Sequence, residues 1–243
     1  MSGESLLLAD TRFDGFVGDR SWGVVDTSTG RLLSAKTVPQ LLGAVCRVLS
    51  DNDVEIAIPG QSPALGSDPL VHDVLSKWLQ RAVRLQQPEQ GRSAEIDIEV
   101  DMTERGGPEN QLFTFQSKPG LFFDGTPMHV LTTASVAAMA ARYPAGVWSI
   151  NRFRPNIVVE AESDTESFPE DDWVGHSLTI GSATIDVHKR CDRCVLTTRA
   201  FPDAPADRGI LQALHREHGG DLGVKATITA EGIVSIGDTI TLH

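Results

Sequence analysis

Residues 181–198 read Gly-Ser-Ala-Thr-Ile-Asp-Val-His-Lys-Arg-Cys-Asp-Arg-Cys-Val-Leu-Thr-Thr. The first half alternates. Ala183, Ile185 and Val187 fall on one face and Thr184 and Asp186 on the other, as in a strand with one side against a core. The second half carries the chemistry, a C-x-x-C of Cys191 and Cys194 among the cations Lys189, Arg190 and Arg193. Outward from here, short apolar stretches at 6–9, 22–25, 54–58, 96–100, 156–159, 195–198, 223–229 and 233–242 are bounded by Gly, Pro, Asp or Ser and read as strands. Glu231-Gly232 separates two alternating runs and reads as a hairpin turn. Helical spacing covers 71–83, 133–143 and 210–218, the last stopping at Gly219-Gly220. The segment 87–93 is polar and reads as a linker, and 103–110 is charged, contains Gly and Pro, and reads as a mobile loop. This pattern predicts an α+β chain, mainly β, with a barrel-like core and helices packed outside it.

The whole chain has 243 residues, 40% hydrophobic and 22% charged, enough for one or two domains with a real core. Thirty-three acids against 21 Lys and Arg leave a net charge of −12, which argues against a nucleic-acid binder. No apolar run approaches the ~20 residues that span a bilayer, and no secretory segment follows Met1, so no membrane association is expected. Three cysteines make no even disulfide framework, which fits a reducing cytoplasm.

The C-x-x-C alone leaves several readings open. A structural zinc site needs two further ligands, and His188, His215, His218 and Cys46 match no finger or ribbon spacing. A thioredoxin-like pair belongs at a helix N-terminus, whereas Val195–Thr198 reads as a strand. Two incidental thiols are the bland alternative. The surrounding cations favour a thiolate, which is a soft ligand for transition metals, and they suit an anionic, phosphate-bearing group beside it. A second cationic cluster precedes the strand at 156–159: Arg152 and Arg154, two residues apart, share a face if that segment is extended, and Asn156 adds an amide. Arg20, after Gly18-Asp19, is a weaker candidate at a strand entrance. His129 reads as a strand residue with a satisfied polar tip, His215 and His218 as solvent-facing, and Cys46 as a small buried hydrophobe.

Taken in order, several motifs together resemble one family. FRPNIVV at 153–159, FPEDDWVG at 168–175, CDRCVLTT at 191–198, GIVSIGDTITL at 232–242 and FFDGTPMHVLTTASV at 122–136 are similar to the MOSC domain, named for the C-terminal domain of molybdenum cofactor sulfurase. GFVGDRSWGVVD at 15–26 and AKTVPQL at 35–41 resemble the β-barrel domain that precedes it in YcbX-like proteins and the mitochondrial amidoxime reducing component. The resemblance implies an N-terminal β-barrel-type domain over 1–90 and a MOSC β-barrel with flanking helices over 91–243. It implies a molybdenum–molybdopterin cofactor, with Cys194 as metal ligand and Arg20, Thr126, Arg154, Asn156, Asp192 and Arg193 holding the pterin and its phosphate. Asp124, beside the Gly125-Thr126-Pro127 turn, is expected either to donate a proton at the metal or to form the turn. The implied activity is an oxidoreductase that reduces N-hydroxylated compounds. No iron–sulfur cluster is expected in this chain, so electrons come from a separate ferredoxin- or flavin-type reductase. The alternative is a sulfur carrier holding a persulfide on Cys194 for metal–sulfur cluster assembly, and a copy that binds cofactor without turnover is a third reading. Two departures stand out. Position 192 is Asp where relatives usually carry Ser, a repulsive choice unless Arg190 or Arg193 pairs with it. A first strand bearing a phosphate-binding lysine and serine is missing ahead of Met1, so the reading frame is expected to extend upstream.

Overall fold

The computed structural model describes residues 1–49, 53–100, 111–122, 125–161 and 168–243, with backbone only at 99 and 100. The expected loop at 103–110 and the candidate Asp124 lie outside them. In chain order the first strands are β1 (Leu8–Arg12), β2 (Gly15–Phe16), β3 (Gly23–Asp26), β4 (Val45–Val48), β5 (Val54–Ala57) and β6 (Ala64–Leu65). Helix α1 (Leu70–Leu79) precedes β7 (Val83–Gln86), β8 (Glu95–Val100), β9 (Gln111–Gln116) and β10 (Met128–Thr132). Then follow α2 (Thr133–Arg142), β11 (Ile157–Val159), β12 (Ser177–Ile180) and β13 (Ala183–Asp192). Helix α3 (Gly209–His218), β14 (Asp221–Ala230), β15 (Gly232–Ser235) and β16 (Ile240–Leu242) complete the order. No helix among the described residues is long and apolar enough to cross a membrane. The chain divides into two compact units, 1–4 with 20–125 and 5–19 with 126–243.

The first unit is built of small antiparallel sheets, β3 with β7, β4–β5–β6, and β8 with β9. Val25, Leu32, Ile96, Ile98 and Phe122 form one of its cores. Gly23 is required there, since a Cβ would lie 2.4 Å from Leu32 Cδ1 and 2.8 Å from the Phe122 ring. Helix α1 buries Val71, Leu75 and Leu79 on its predicted face but ends four residues before the expected Val83. Gln80 turns left-handed at φ +51, and Val83 instead pairs with Asp26 in a strand.

The second unit holds the fold-deciding sheet, a curled half-barrel in the order β11–β10–β14–β13–β12–β16. Only β10 and β11 run parallel in it. All five residues of β10 are buried, as befits a strand covered on both faces. Met128 and Val130 join the core with Ile185, Val187 and Val224, while Leu131 packs on the other side with Met139 of α2 and Leu214 of α3. The alternation read at 183–187 is present, with Ala183, Ile185 and Val187 buried. Helix α2 is capped by Thr132, whose side chain accepts from Ser135 N–H. Fully buried Glu170, from the FPEDDW segment, accepts from Thr132 Oγ1 and Ser135 Oγ, each at 2.6 Å. Its negative charge therefore sits where the helix dipole is positive.

Two secondary-structure expectations next to the site fail in this unit. Val195–Thr198 forms a 3₁₀ turn, not a strand, because Cys194 O captures the Thr197 N–H and hydroxyl. Glu231-Gly232 is not a hairpin turn: after β14 the chain crosses to a second sheet, where β15 pairs with β1. Gly232 makes the crossing passable, since a Cβ there would lie 2.5 Å from the Ser182 backbone.

Candidate functional site

Strand β13 carries Cys191 at its far end and leads into Cys194 along an irregular path. Its register against β14 shifts between Val187 and Lys189 and again between Arg190 and Asp192. Bulges of this kind bend a strand and re-aim its side chains. Beyond the second shift Arg193 donates its N–H to Gly220 O at 2.9 Å, and Cys194 caps the 3₁₀ turn.

The two thiols end up in different surroundings. Cys191 is buried, and its Sγ accepts from Arg193 Nη1 at 2.9 Å. Burial pushes its thiol above the ordinary value, and the Arg193 charge only partly opposes that. Cys194 is half-buried, and its Sγ has no hydrogen-bond partner among the described residues. The three cations expected around it turn elsewhere: Lys189 to Asp192, Arg190 to Asp171 and Asp221, and Arg193 to Cys191 and its neighbours.

Arg193 and His129 form the hub. Arg193 Nη2 donates to Phe153 O at 2.7 Å, its guanidinium lies 5.5 Å from the Phe153 ring centre, and Nη1 lies 3.3 Å from His129 Nε2. Its Nε is buried without a partner among the described residues. His129 is neutral, since burial first and the Arg193 charge second push its pKa down to about 3. A guanidinium only donates, so His129 Nε2 accepts from it and the ring proton sits on Nδ1. Leu222 O lies 3.2 Å from the same nitrogen. Gly223, at φ +77, leaves room for the ring, because a Cβ there would sit 2.4 Å from Nε2.

Asn156 is committed to the fold on every side. It clamps the His129 backbone through Oδ1 at 3.0 Å and its own N–H at 2.8 Å, while Nδ2 donates to Asp19 at 3.0 Å. Arg154 hydrogen-bonds the His129 ring through its backbone and adopts φ +51, a conformation non-glycine residues rarely take outside functional or over-determined sites. Arg20 is left-handed too, at φ +53, in the other unit. The expected shared face of Arg152 and Arg154 does not exist, because Arg152 ends a 3₁₀ turn (Ile150–Arg152) and is fully buried. Its guanidinium donates to Val147 O at 2.8 Å, to Thr197 O and Arg199 O at 3.0 Å, and to Pro205 O. It clamps the loop that follows Cys194.

Asp192 pairs with neither arginine. Its carboxylate meets Lys225 Nζ at 2.5 Å and Lys189 Nζ at 3.8 Å. Desolvation pushes the Asp192 carboxyl up, but the Lys225 hydrogen bond and the two lysine charges outweigh it and hold it below the ordinary range. His218 is not solvent-facing either. It stacks on Phe168 with ring centres 3.6 Å apart and reaches Asp171 Oδ2 at 2.9 Å.

Arg154, Asn156, His129, Arg193 and Cys191 thus form one connected set with Cys194 next to Arg193 in the chain, and Asp192 joins it through Lys225, which lies directly opposite His129 on the sheet. Thr126 leads into β10, two residues ahead of Met128. Among the described residues no group of three or more His, Cys, Asp or Glu side chains could hold a metal ion. Sequence reading missed Lys225, although the alternation of β14, with Val224 and Ala226 buried, puts it on the polar face.

The MOSC domain model matches residues 117–241. Among curated proteins none matches the chain. The chain is similar to YiiM of Geobacillus stearothermophilus at 16% identity, covering 63% of this chain and 74% of that one with a TM-score of 0.37. Similarity to the YuaD protein of Bacillus subtilis is also at 16% identity, covering 60% and 75% with a TM-score of 0.39. YiiM of Escherichia coli is 18% identical over 51% of this chain and 58% of its own, with a TM-score of 0.37. With just over half its length matched, including the whole of the strand that carries Cys191 and the turn that starts at Cys194, the chain belongs to the MOSC domain family.

Proposed function

We propose that this MOSC protein binds a molybdenum–pterin cofactor through Cys194 and reduces N-hydroxylated compounds, as in the YcbX-like and amidoxime-reducing branch of the family. The observation that carries the reading is the contrast between the two thiols. Cys191 is buried, kept protonated by its surroundings and engaged by Arg193, whereas Cys194 Sγ is half-exposed and uncommitted. A soft thiolate is a suitable single protein ligand for such a metal. The residues present fit the group: Arg193 Nε is a buried donor still lacking an acceptor, as an anionic ligand beside Cys194 would provide. When bound, the cofactor supplies a metal able to take an oxygen atom from the substrate while its oxidation state changes by two.

The chain's own residues have defined tasks in this reading. Arg152, through Thr197 O, fixes the turn whose first residue is Cys194. His129, neutral and buried, holds the Arg193 guanidinium against Phe153. Arg154 and Arg193 supply positive charge toward an anion. Electrons come from a separate ferredoxin- or flavin-type reductase. The test is production in a host that makes the cofactor, followed by measurement of bound molybdenum and pterin. The wild type is expected to carry both and Cys194→Ser neither. A Cys194→Ser protein retaining full molybdenum overturns the assignment, and a wild type bearing a sulfur adduct on Cys194 without pterin supports a sulfur carrier instead.

A further inference from the structure

Lys189 and Lys225 face each other directly across β13 and β14. Like charges opposed in this way repel, and an anion between them relieves the repulsion. Here the register shift between Arg190 and Asp192 brings one back, the Asp192 carboxylate, at 2.5 Å from Lys225 and 3.8 Å from Lys189. The three side chains differ in exposure. Lys225 is 21% exposed, whereas Asp192 is 69% and Lys189 64% exposed. The ammonium that most needs a counter-charge is therefore served by a carboxylate that stands largely in water and can swing away. Two cations meet one carboxylate, so the spot stays positive in a chain of net charge −12.

We propose that Lys189 and Lys225 form an oxyanion-binding subsite at the Cys194 end of β13, and that Asp192 is its built-in competitor, displaced when a phosphate-type group arrives. A tetrahedral oxyanion presents acceptors to both ammoniums at once, which the carboxylate does unevenly. Its charge-assisted bonds replace the ones Asp192 gives up. The group has two sources with the same chemistry, the phosphate of a bound pterin cofactor or a free phosphate-like anion. Only the first rests on the function proposed above.

Calorimetric titration of the full chain with inorganic phosphate tests the subsite. Asp192→Asn, which removes the competing charge and keeps the side chain's size, is expected to bind phosphate about tenfold more tightly than the wild type, and adding either Lys225→Gln or Lys189→Gln removes the gain. An Asp192→Asn protein that binds no better, or whose gain survives both lysine replacements, overturns the proposal. The source is read from pterin-phosphate content after production in a cofactor-making host. A rise in Asp192→Asn assigns the subsite to the cofactor, whereas tighter phosphate binding with unchanged pterin assigns it to a free anion. If no variant carries pterin the functional reading fails, and the phosphate titration still decides the subsite.

Discussion

Cys191 and Cys194 are three residues apart yet differ in burial, because the irregular end of β13 turns one inward beneath Arg193 and leaves the other at the mouth of a 3₁₀ turn. If the proposed cofactor is bound through Cys194, Cys191→Ser is accordingly expected to keep most of the wild type's molybdenum, measured by elemental analysis, with a stability loss of about 1 kcal/mol from a lost contact to Arg193. His129 makes a sharper case. Its pKa lies at about 3 in the folded chain against 6.5 unfolded, so between those values the unfolded state binds more protons. Stability tied to this ring is full above pH 6.5 and is lost as pH falls toward 3, with a slope that approaches ~1.4 kcal/mol per unit. Denaturant melts at a series of pH values check this, and His129→Gln should flatten the slope in that window. An unchanged slope would mean that the ring does not titrate as its burial demands. The satisfied character of His129 was legible from its apolar neighbours in sequence. Its contact with Arg193 was not, because 64 positions separate them and the gap is closed by the pairing of β14 with both β10 and β13.

At the scale of elements, two buried charges set the frame of the site. Arg152 binds four backbone carbonyls and spans from the 3₁₀ turn before β11 to the loop after Cys194. Burial pulls its pKa down while Asp207 and Asp203 pull it up. Replacement by Met strands those carbonyls and is expected to cost about 3–5 kcal/mol, read from denaturant melts, with faster proteolysis of the 195–205 loop. Glu170 does the same for α2, and Glu170→Ala, which leaves the Thr132 and Ser135 hydroxyls without their acceptor, should cost about 1–3 kcal/mol. The helices were legible because their apolar residues recur at helical spacing, as were the half-buried strands with clean alternation. The Val195–Thr198 turn was not. Its residues favour strands, and the preference is overridden by two hydrogen bonds to Cys194 O and by Arg152 from a distant segment. The crossing at Gly232 was hidden for a similar reason, since alternation fixes which face a strand buries but not which strand it pairs with.

Across the molecule, the net charge of −12 and the cations beside Cys194 act on an approaching anion over different distances. Lys189 and Lys225 act at contact, whereas most of the 33 acidic side chains act from farther away. The screening length is ~30 Å at 0.01 M salt, ~10 Å at 0.1 M and ~3 Å at 1 M. Raising salt from 0.01 to 0.1 M therefore removes distant repulsion while leaving the contact attraction, and a further rise to 1 M removes the attraction as well. Phosphate binding to the Asp192→Asn protein is thus expected to pass through a maximum near 0.1 M salt, where a purely cationic surface gives a steady decline. Titrations at several sodium chloride concentrations distinguish the two. A monotonic fall from the lowest salt would mean that the lysine pair dominates the field at every distance, and that the acidic exterior plays no part in which anions reach the site.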